Sequence, residues 1–439
     1  MIRSQPRKPG RWIQCLRDRP RLFSVWCVVA AFGTYACMYG FRKPFTAAPF
    51  ESDPFGPGMK ALFVFFQVLG YTVSKWLGIR VIGEMTPGRR AGTLLVLVAI
   101  AEGALVLFGC LPPPYGCLPL FVNGLALGLV FGLVLGFLEG RRMTEIFVAG
   151  LCASFILADG VTKSAGATLL GMGISERWMP SVCGLLFVAP LLLFVWMLQA
   201  IPAPSEADVE ARSVRPPVSR AERKAFLVKY APGLGAVVLA YVLVTVLRSF
   251  RADFAPEIWA GLGNPGPPSV FTLSEIWVAV GVLAINGLTV TLRDNRIALL
   301  SALAVSCAGL LLVVLATAAQ MAGSIAPFPL MVLLGLGLYL PYVAVHTTVF
   351  ERLIATTRER ANVGHLMYVA DAAGYLGYLG VMVAKWRWSG GAPVVPLFLK
   401  VCTGCAVAGF LLMALAAFWF SRGITRSNSS PSRPAAAPA

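Results

Sequence analysis

Charge is scarce in this chain. Asp, Glu, Lys and Arg make up 13% of its 439 residues, against 57% hydrophobic residues, and the mean hydropathy is +0.75. A soluble domain of this size would need far more polar surface. Histidine is scarcer still: His346 and His365 are the only two, too few for a convincing metal site. No glycine-rich phosphate loop follows a strand and no nucleophile elbow occurs, so neither a catalytic constellation nor a cofactor is implied. The ten cysteines lie mostly inside apolar runs and make no disulfide scaffold. Cys110 and Cys117 flank "LPPPYG", where a bridge or two free thiols are both open readings. In "CTGC" (402–405) small residues at i and i+3 suit close helix packing better than redox or metal chemistry.

Long apolar runs are abundant. Twelve stretches are long enough to cross a bilayer: 22–49, 60–83, 91–110, 117–139, 145–170, 179–200, 229–254, 271–292, 296–318, 329–352, 361–386 and 397–420. The expected fold is all-α, a polytopic membrane protein of twelve transmembrane helices. The net charge of +17 would suggest nucleic acid on a soluble protein. Here the basic residues gather in the N-terminal segment, in alternate loops and in the C-terminal tail, while loops 111–116 and 319–328 have none. That asymmetry is the positive-inside pattern of a protein whose partner is the lipid bilayer, with both termini cytoplasmic. The first apolar stretch is too long for a secretory signal and no soluble domain follows it, so it is expected to stay as an anchor.

The polar, proline-rich stretch 201–225 divides the spans six and six. The expected organisation is a basic cytoplasmic segment (1–21), a six-helix bundle (22–200), a cytoplasmic linker (201–225), a second six-helix bundle (226–420) and a disordered tail (421–439). Landmarks recur between the halves. Arg42 lies late in span 1 with Pro49 seven residues on, and Arg248 lies late in span 7 with Pro256 eight residues on. Such halves are the pattern of two-bundle transporters.

The charges inside the spans are the functional candidates. In "YACMYGFRKPF" the apolar character continues past Arg42 and Lys43 to Phe50, so a helix over 22–49, kinked at Pro44, places Arg42 in the membrane. Either Arg42 faces a cavity, or Arg42 and Lys43 snorkel to the interface. Arg248 sits at the matching depth in the other half, and Lys75 is embedded in span 2. A charge at that depth usually faces a bundle interior or water. The carboxylates within spans are Glu102, Glu139, Asp159, Glu275 and Asp371. Asp159 and Lys163 are i and i+4 and either pair with each other or serve the site. Asp371, Asp159 and Glu275 are candidates for proton or ion coupling, or for ion pairs. Glu139, Arg141, Arg142 and Glu145 are placed as a cytoplasmic ion-pair gate. Two arginines suit an anion because guanidinium donates paired hydrogen bonds and stays charged. Tyr39 and Tyr35, one and two turns before Arg42, either add hydroxyl donors or pack.

These residues carry a resemblance. "YACMYGFRKPFTAA", "LGYTVSKWLGIRVIGEMTPGRR", "VLVTVLRSFRADFAPEIW" and "GYLGYLG" resemble helices 1, 2, 7 and 11 of the organophosphate:phosphate antiporters, a branch of the major facilitator superfamily. The resemblance implies the major facilitator fold, with Arg42 and Arg248 as phosphate-clamping arginines and Lys75 as an accessory cation. The sequence departs from that branch on helix 5, where Asp159 or Lys163 stands in the region of the family's substrate-binding histidine. "LEGRRMTEI" and "ERANVGHLMYVADAAGYLG" resemble still more closely an uncharacterised bacterial family catalogued only as a domain of unknown function.

The expectation is therefore a monomeric, non-enzymatic secondary transporter in a bacterial inner membrane, moving a small organic anion by alternating access. Its binding residues would be Arg42, Arg248, Lys75, Tyr35, Tyr39 and Lys163. The rival expectation is a sensor that binds a ligand in a transporter fold and signals without moving it.

Overall fold

The computed structural model describes residues 19–50, 58–83, 85–138, 144–202, 220–263, 266–357, 363–387 and 394–428. These residues are almost wholly helical. The long segments are α1 (Pro20–Gly40), α2 (Met59–Gly83), α3 (Arg90–Cys110), α4 (Cys117–Leu127 and Val130–Leu138), α5 (Thr144–Gly171) and α6 (Met179–Leu186 and Val188–Gln199). The second half holds α7 (Ala231–Asp253), α8 (Ser269–Val290), α9 (Asn295–Met321), α10 (Pro327–Ala344, then a π turn Val345–Val349 and helix Phe350–Thr357), α11 (Val363–Arg387) and α12 (Val394–Asn428). Among the described residues nine helices are long and apolar enough to cross a membrane, and the two pieces of α6, bent by 44°, make a tenth. With α5 and α11 the segments number twelve, matching the twelve apolar runs. The outward faces carry exposed Val96, Leu107, Leu192, Leu288, Leu311 and Leu411, an apolar surface suited to lipid.

Within the first half α1 packs on α5 and α6, and α4 packs on α2 and α3. Within the second, α7 packs on α11 and α12, α10 on α8 and α9, and α9 on α12. The main helix contacts between the halves are α2 with α11 and α5 with α8. The α2–α4 approach depends on glycine. A Cβ on Gly70 would stand 2.0 Å from the Phe121 carbonyl oxygen, and one on Gly124 would stand 2.0 Å from that of Gln67. Without those hydrogens-only positions the two backbones could not come so close.

Several expectations are corrected. Span 1 is not one helix to residue 49: α1 stops at Gly40, and a 3₁₀ turn, Pro44–Ala47, follows after a short break. Pro44 has no N–H to continue the ladder, so the chain tightens there. The break would leave carbonyls bare inside the membrane, which is costly. Two buried amides answer it. Asn123 Nδ2 donates to the Phe41 carbonyl (2.9 Å) and Gln67 Nε2 to that of Arg42 (2.8 Å). Gln67 also donates to Asn123 Oδ1 (2.8 Å), so the pair acts as one unit. The helix Arg220–Lys229 begins inside the expected linker, and α12 runs to Asn428, making the start of the expected tail helical. Cys110 and Cys117 are both free thiols, one exposed and one buried.

Candidate functional site

The break after α1 turns Arg42 and Lys43 inward: they are 5% and 8% exposed, and both line a cavity of about 130 Å³ between the halves. Arg248, from the last turns of α7, lines the same cavity and is 9% exposed. Of the other expected binding residues, Lys75, Tyr35 and Tyr39 line it, as do Asp159 and Asp371. Lys163 does not; it stands behind Asp159, its side chain 1% exposed. The snorkelling reading of Arg42 and Lys43 is therefore set aside.

Each aspartate at the cavity is matched to a lysine. Asp159 is bonded to Lys163 one turn on. Asp253 is bonded to Lys43 across the halves, and its second oxygen accepts from Tyr378 (2.8 Å). Asp371 faces Lys75 at 3.6 Å, again across the halves. The two arginines differ. Among the described residues no carboxylate pairs with Arg42 or Arg248, and the Nε of each has no hydrogen-bond partner. Both instead sit on aromatic faces. The Arg42 guanidinium carbon is 3.9 Å from the centre of the Tyr71 ring and 5.7 Å from that of Tyr39. The Arg248 carbon is 4.3 Å from Tyr342 and 5.5 Å from Tyr339. Cation–π contacts contribute about 0.5–2 kcal/mol each, far less than a buried charge needs for full compensation. With Lys163 counted behind Asp159 and His346, which also lines the cavity, taken as neutral, five cations meet three carboxylates, leaving two positive charges, both on the arginines.

Tyr39 turns its ring toward Arg42, while Tyr35 packs edge-on against Tyr39 and Phe131 with its hydroxyl 3.4 Å from that of Tyr71. Glu275 lies outside the cavity, bonded to Arg251 (2.8 Å). Glu102 accepts from Ser181 (2.6 Å) between α3 and α6. Glu139, Arg141 and Arg142 lie outside the described residues, as does the side chain of Glu145, although the Glu145 backbone belongs to α5. Toward the end of the bundle expected to face outward, further bonds join the halves: Lys60 to Glu257 (2.6 Å), and Ser164 to the Pro268 carbonyl and to Thr272 (2.6 Å each).

Residues 44–423, most of the chain, match the family described as "Family of unknown function (DUF5690)". The chain belongs to that family. The DUF5690 match begins just after Arg42, so it covers Lys75 and Arg248 but not α1. No curated protein matches the chain. Solved structures do. A D-xylose–proton symporter is 15% identical, with 91% of this chain and 97% of that one covered and a TM-score of 0.55. The POT family transporter PepTSo is 15% identical, with 96% and 99% covered and a TM-score of 0.57. A bacterial homolog of the human lysosomal transporter Spinster, in an inward-facing, unoccupied conformation, is 13% identical, with 93% and 99% covered and a TM-score of 0.57. This DUF5690 chain thus has the twelve-helix major facilitator fold.

Sequence reasoning missed Asp253, Glu257, Arg251, the tyrosines that carry the arginines, and the Gln67–Asn123 support. Asp253 had a signal, since it falls within the apolar run 229–254. Gln67 and Asn123 had one too: an amide in each of two apolar runs. The Asp159–Lys163 pair yields a direct expectation. Either single neutral substitution leaves a buried charge alone and should lower the amount of folded protein, while Asp159→Asn with Lys163→Gln should restore it, because removing both charges is nearly neutral. Protein level and thermal stability in detergent read this out. If the double variant is as well folded as the parent but inactive, Asp159 has a part beyond the pair.

Proposed function

We propose that this protein is a secondary transporter of a small organic anion, with a phosphate ester the favoured class, and that Arg42 and Arg248 clamp the anionic head. The observation that carries the reading is the division of the cavity's charges: every aspartate has its lysine, and only the arginines lack a carboxylate. Two unneutralised guanidiniums in a low-dielectric cavity are costly, and a bound anion removes that cost while the planar donors supply paired hydrogen bonds. Arg42 belongs to the first half and Arg248 to the second, so one anion held between them draws the halves together. That is the coupling alternating access requires. The Lys43–Asp253 and Lys60–Glu257 bonds close the outward end and would part when the cavity opens there.

The test is flux. Protein reconstituted into proteoliposomes is offered radiolabelled organic anions, phosphate esters among them. Saturable uptake of at least one is expected, and Arg42→Ala or Arg248→Ala should abolish it at unchanged protein level. Uptake of neutral solutes alone would overturn the reading. Binding of an anion without flux would favour a sensor in a transporter fold.

A further inference from the structure

The same cavity is lined by His346, a group that the anion reading does not use. His346 sits in the π turn of α10, a local irregularity that recurs at functional positions. Its neighbours are all acceptors. Nδ1 is 3.1 Å from the Tyr342 carbonyl oxygen, which can only accept. Nε2 is 3.4 Å from Asp371 Oδ1. It is also 3.5 Å from the Tyr241 hydroxyl, whose hydrogen is given to the same Asp371 oxygen at 2.5 Å. A neutral imidazole has one N–H and so satisfies one side, leaving a lone pair against an acceptor. An imidazolium satisfies both. The other oxygen of Asp371 faces Lys75 at 3.6 Å, longer than a hydrogen bond. Two cationic groups therefore compete for one carboxylate.

We propose that His346 and Asp371 form a proton-binding site whose loading displaces Lys75 as the counter-ion of Asp371. In the unloaded state His346 is the Nδ1–H tautomer, bonded to the Tyr342 carbonyl, and Lys75 neutralises Asp371. A proton arriving from water adds to Nε2, the imidazolium donates to Asp371, the Lys75–Asp371 ion pair is given up, and no other covalent bond is made or broken. Lys75 then turns to the cavity as a third cation beside Arg42. It already lies 5.4 Å from the Tyr71 ring that carries Arg42. Anion binding and proton binding then favour each other, the arrangement of proton–anion cotransport. This last consequence rests on the anion reading; the proton site does not. The groups facing the pair are Lys75 and Tyr71 from α2, Cys152 from α5, Tyr241 from α7, Tyr342 from α10 and Tyr375 from α11. Imidazole is the one of these side chains that ordinarily changes charge between pH 5 and 8.

The chain has two histidines, so His365→Gln leaves His346 as the single imidazole. The full-length protein, ¹⁵N-labelled at histidine and held in lipid nanodiscs without any anion, is titrated by NMR. At high pH the nitrogen shifts should show the Nδ1–H tautomer, and at low pH both nitrogens protonated. Asp371→Asn should shift the midpoint, because the carboxylate that accepts from the protonated Nε2 is gone. Lys75→Gln should move it the opposite way, because a competitor is gone. An Nε2–H tautomer at high pH, or a midpoint that neither variant moves, overturns the proposal. If Asp371→Asn does not fold, the tautomer and the Lys75→Gln shift still decide. Because no anion is present, failure here leaves the clamp reading standing, and absence of anion binding leaves this result standing.

Discussion

Arg42→Lys and Arg248→Lys are each expected to bind the transported anion about ten- to a hundredfold more weakly while the protein folds normally. Lysine keeps the charge, so the long-range attraction survives. It loses the planar fork that presents two parallel donors to one head group. It also loses the flat guanidinium that lies 3.9 Å over Tyr71 at one position and 4.3 Å over Tyr342 at the other. A hydrogen bond to a charged group contributes roughly 1.5–3 kcal/mol, which converts to about that range in affinity. Isothermal titration of the purified variants with the anion identified by flux reads the effect directly. Affinity unchanged in both variants would remove the arginines from the binding site. If one anion is held by both side chains, as proposed, the double variant should lose less than the sum of the two single losses.

The second large effect concerns Glu275, an expected coupling residue that the fold places outside the cavity, against Arg251. Their side chains are 8% and 2% exposed, and Arg251 also donates to the Met331 carbonyl (2.8 Å). The pair joins α7 to α8 and, through that carbonyl, to α10. Glu275→Gln removes the only carboxylate bonded to this buried guanidinium among the described residues. Removing one partner of a buried pair typically costs about 3–5 kcal/mol, so a large fall in thermal stability is expected. Arg251→Met with Glu275→Leu should recover most of it, since two apolar groups of similar volume replace two desolvated charges. The check is the unfolding temperature in nanodiscs. A Glu275→Gln protein as stable as the parent, with flux that no longer responds to a pH gradient, would return Glu275 to a coupling role.

The helices were legible in the sequence because an apolar run of membrane length is a local property, and the runs became helical segments, most with ends within a few residues. The break in α1 was the main departure. It depends on Gln67 and Asn123, which reach the bared carbonyls from α2 and α4 and cannot be seen from α1 itself. The candidate charges were legible for a related reason: a Lys, Arg or Asp deep in an apolar run is expensive wherever it points, so its presence asks for a role. Which charge meets which was another matter. The Asp159–Lys163 pair was readable because its partners are four residues apart on one helix. Lys43 and Asp253 are 210 residues apart, and nothing in either neighbourhood names the other. Asp371 looked like a lone carboxylate until α2 brought Lys75 and α10 brought His346 to its two oxygens. The sequence by itself determined that this chain spans a membrane in two halves and buries positive charge in both. The tertiary structure alone decided that the lysines are neutralised and the two arginines are not, because neutralisation depends on contacts within a few ångströms that form only when the halves pack together.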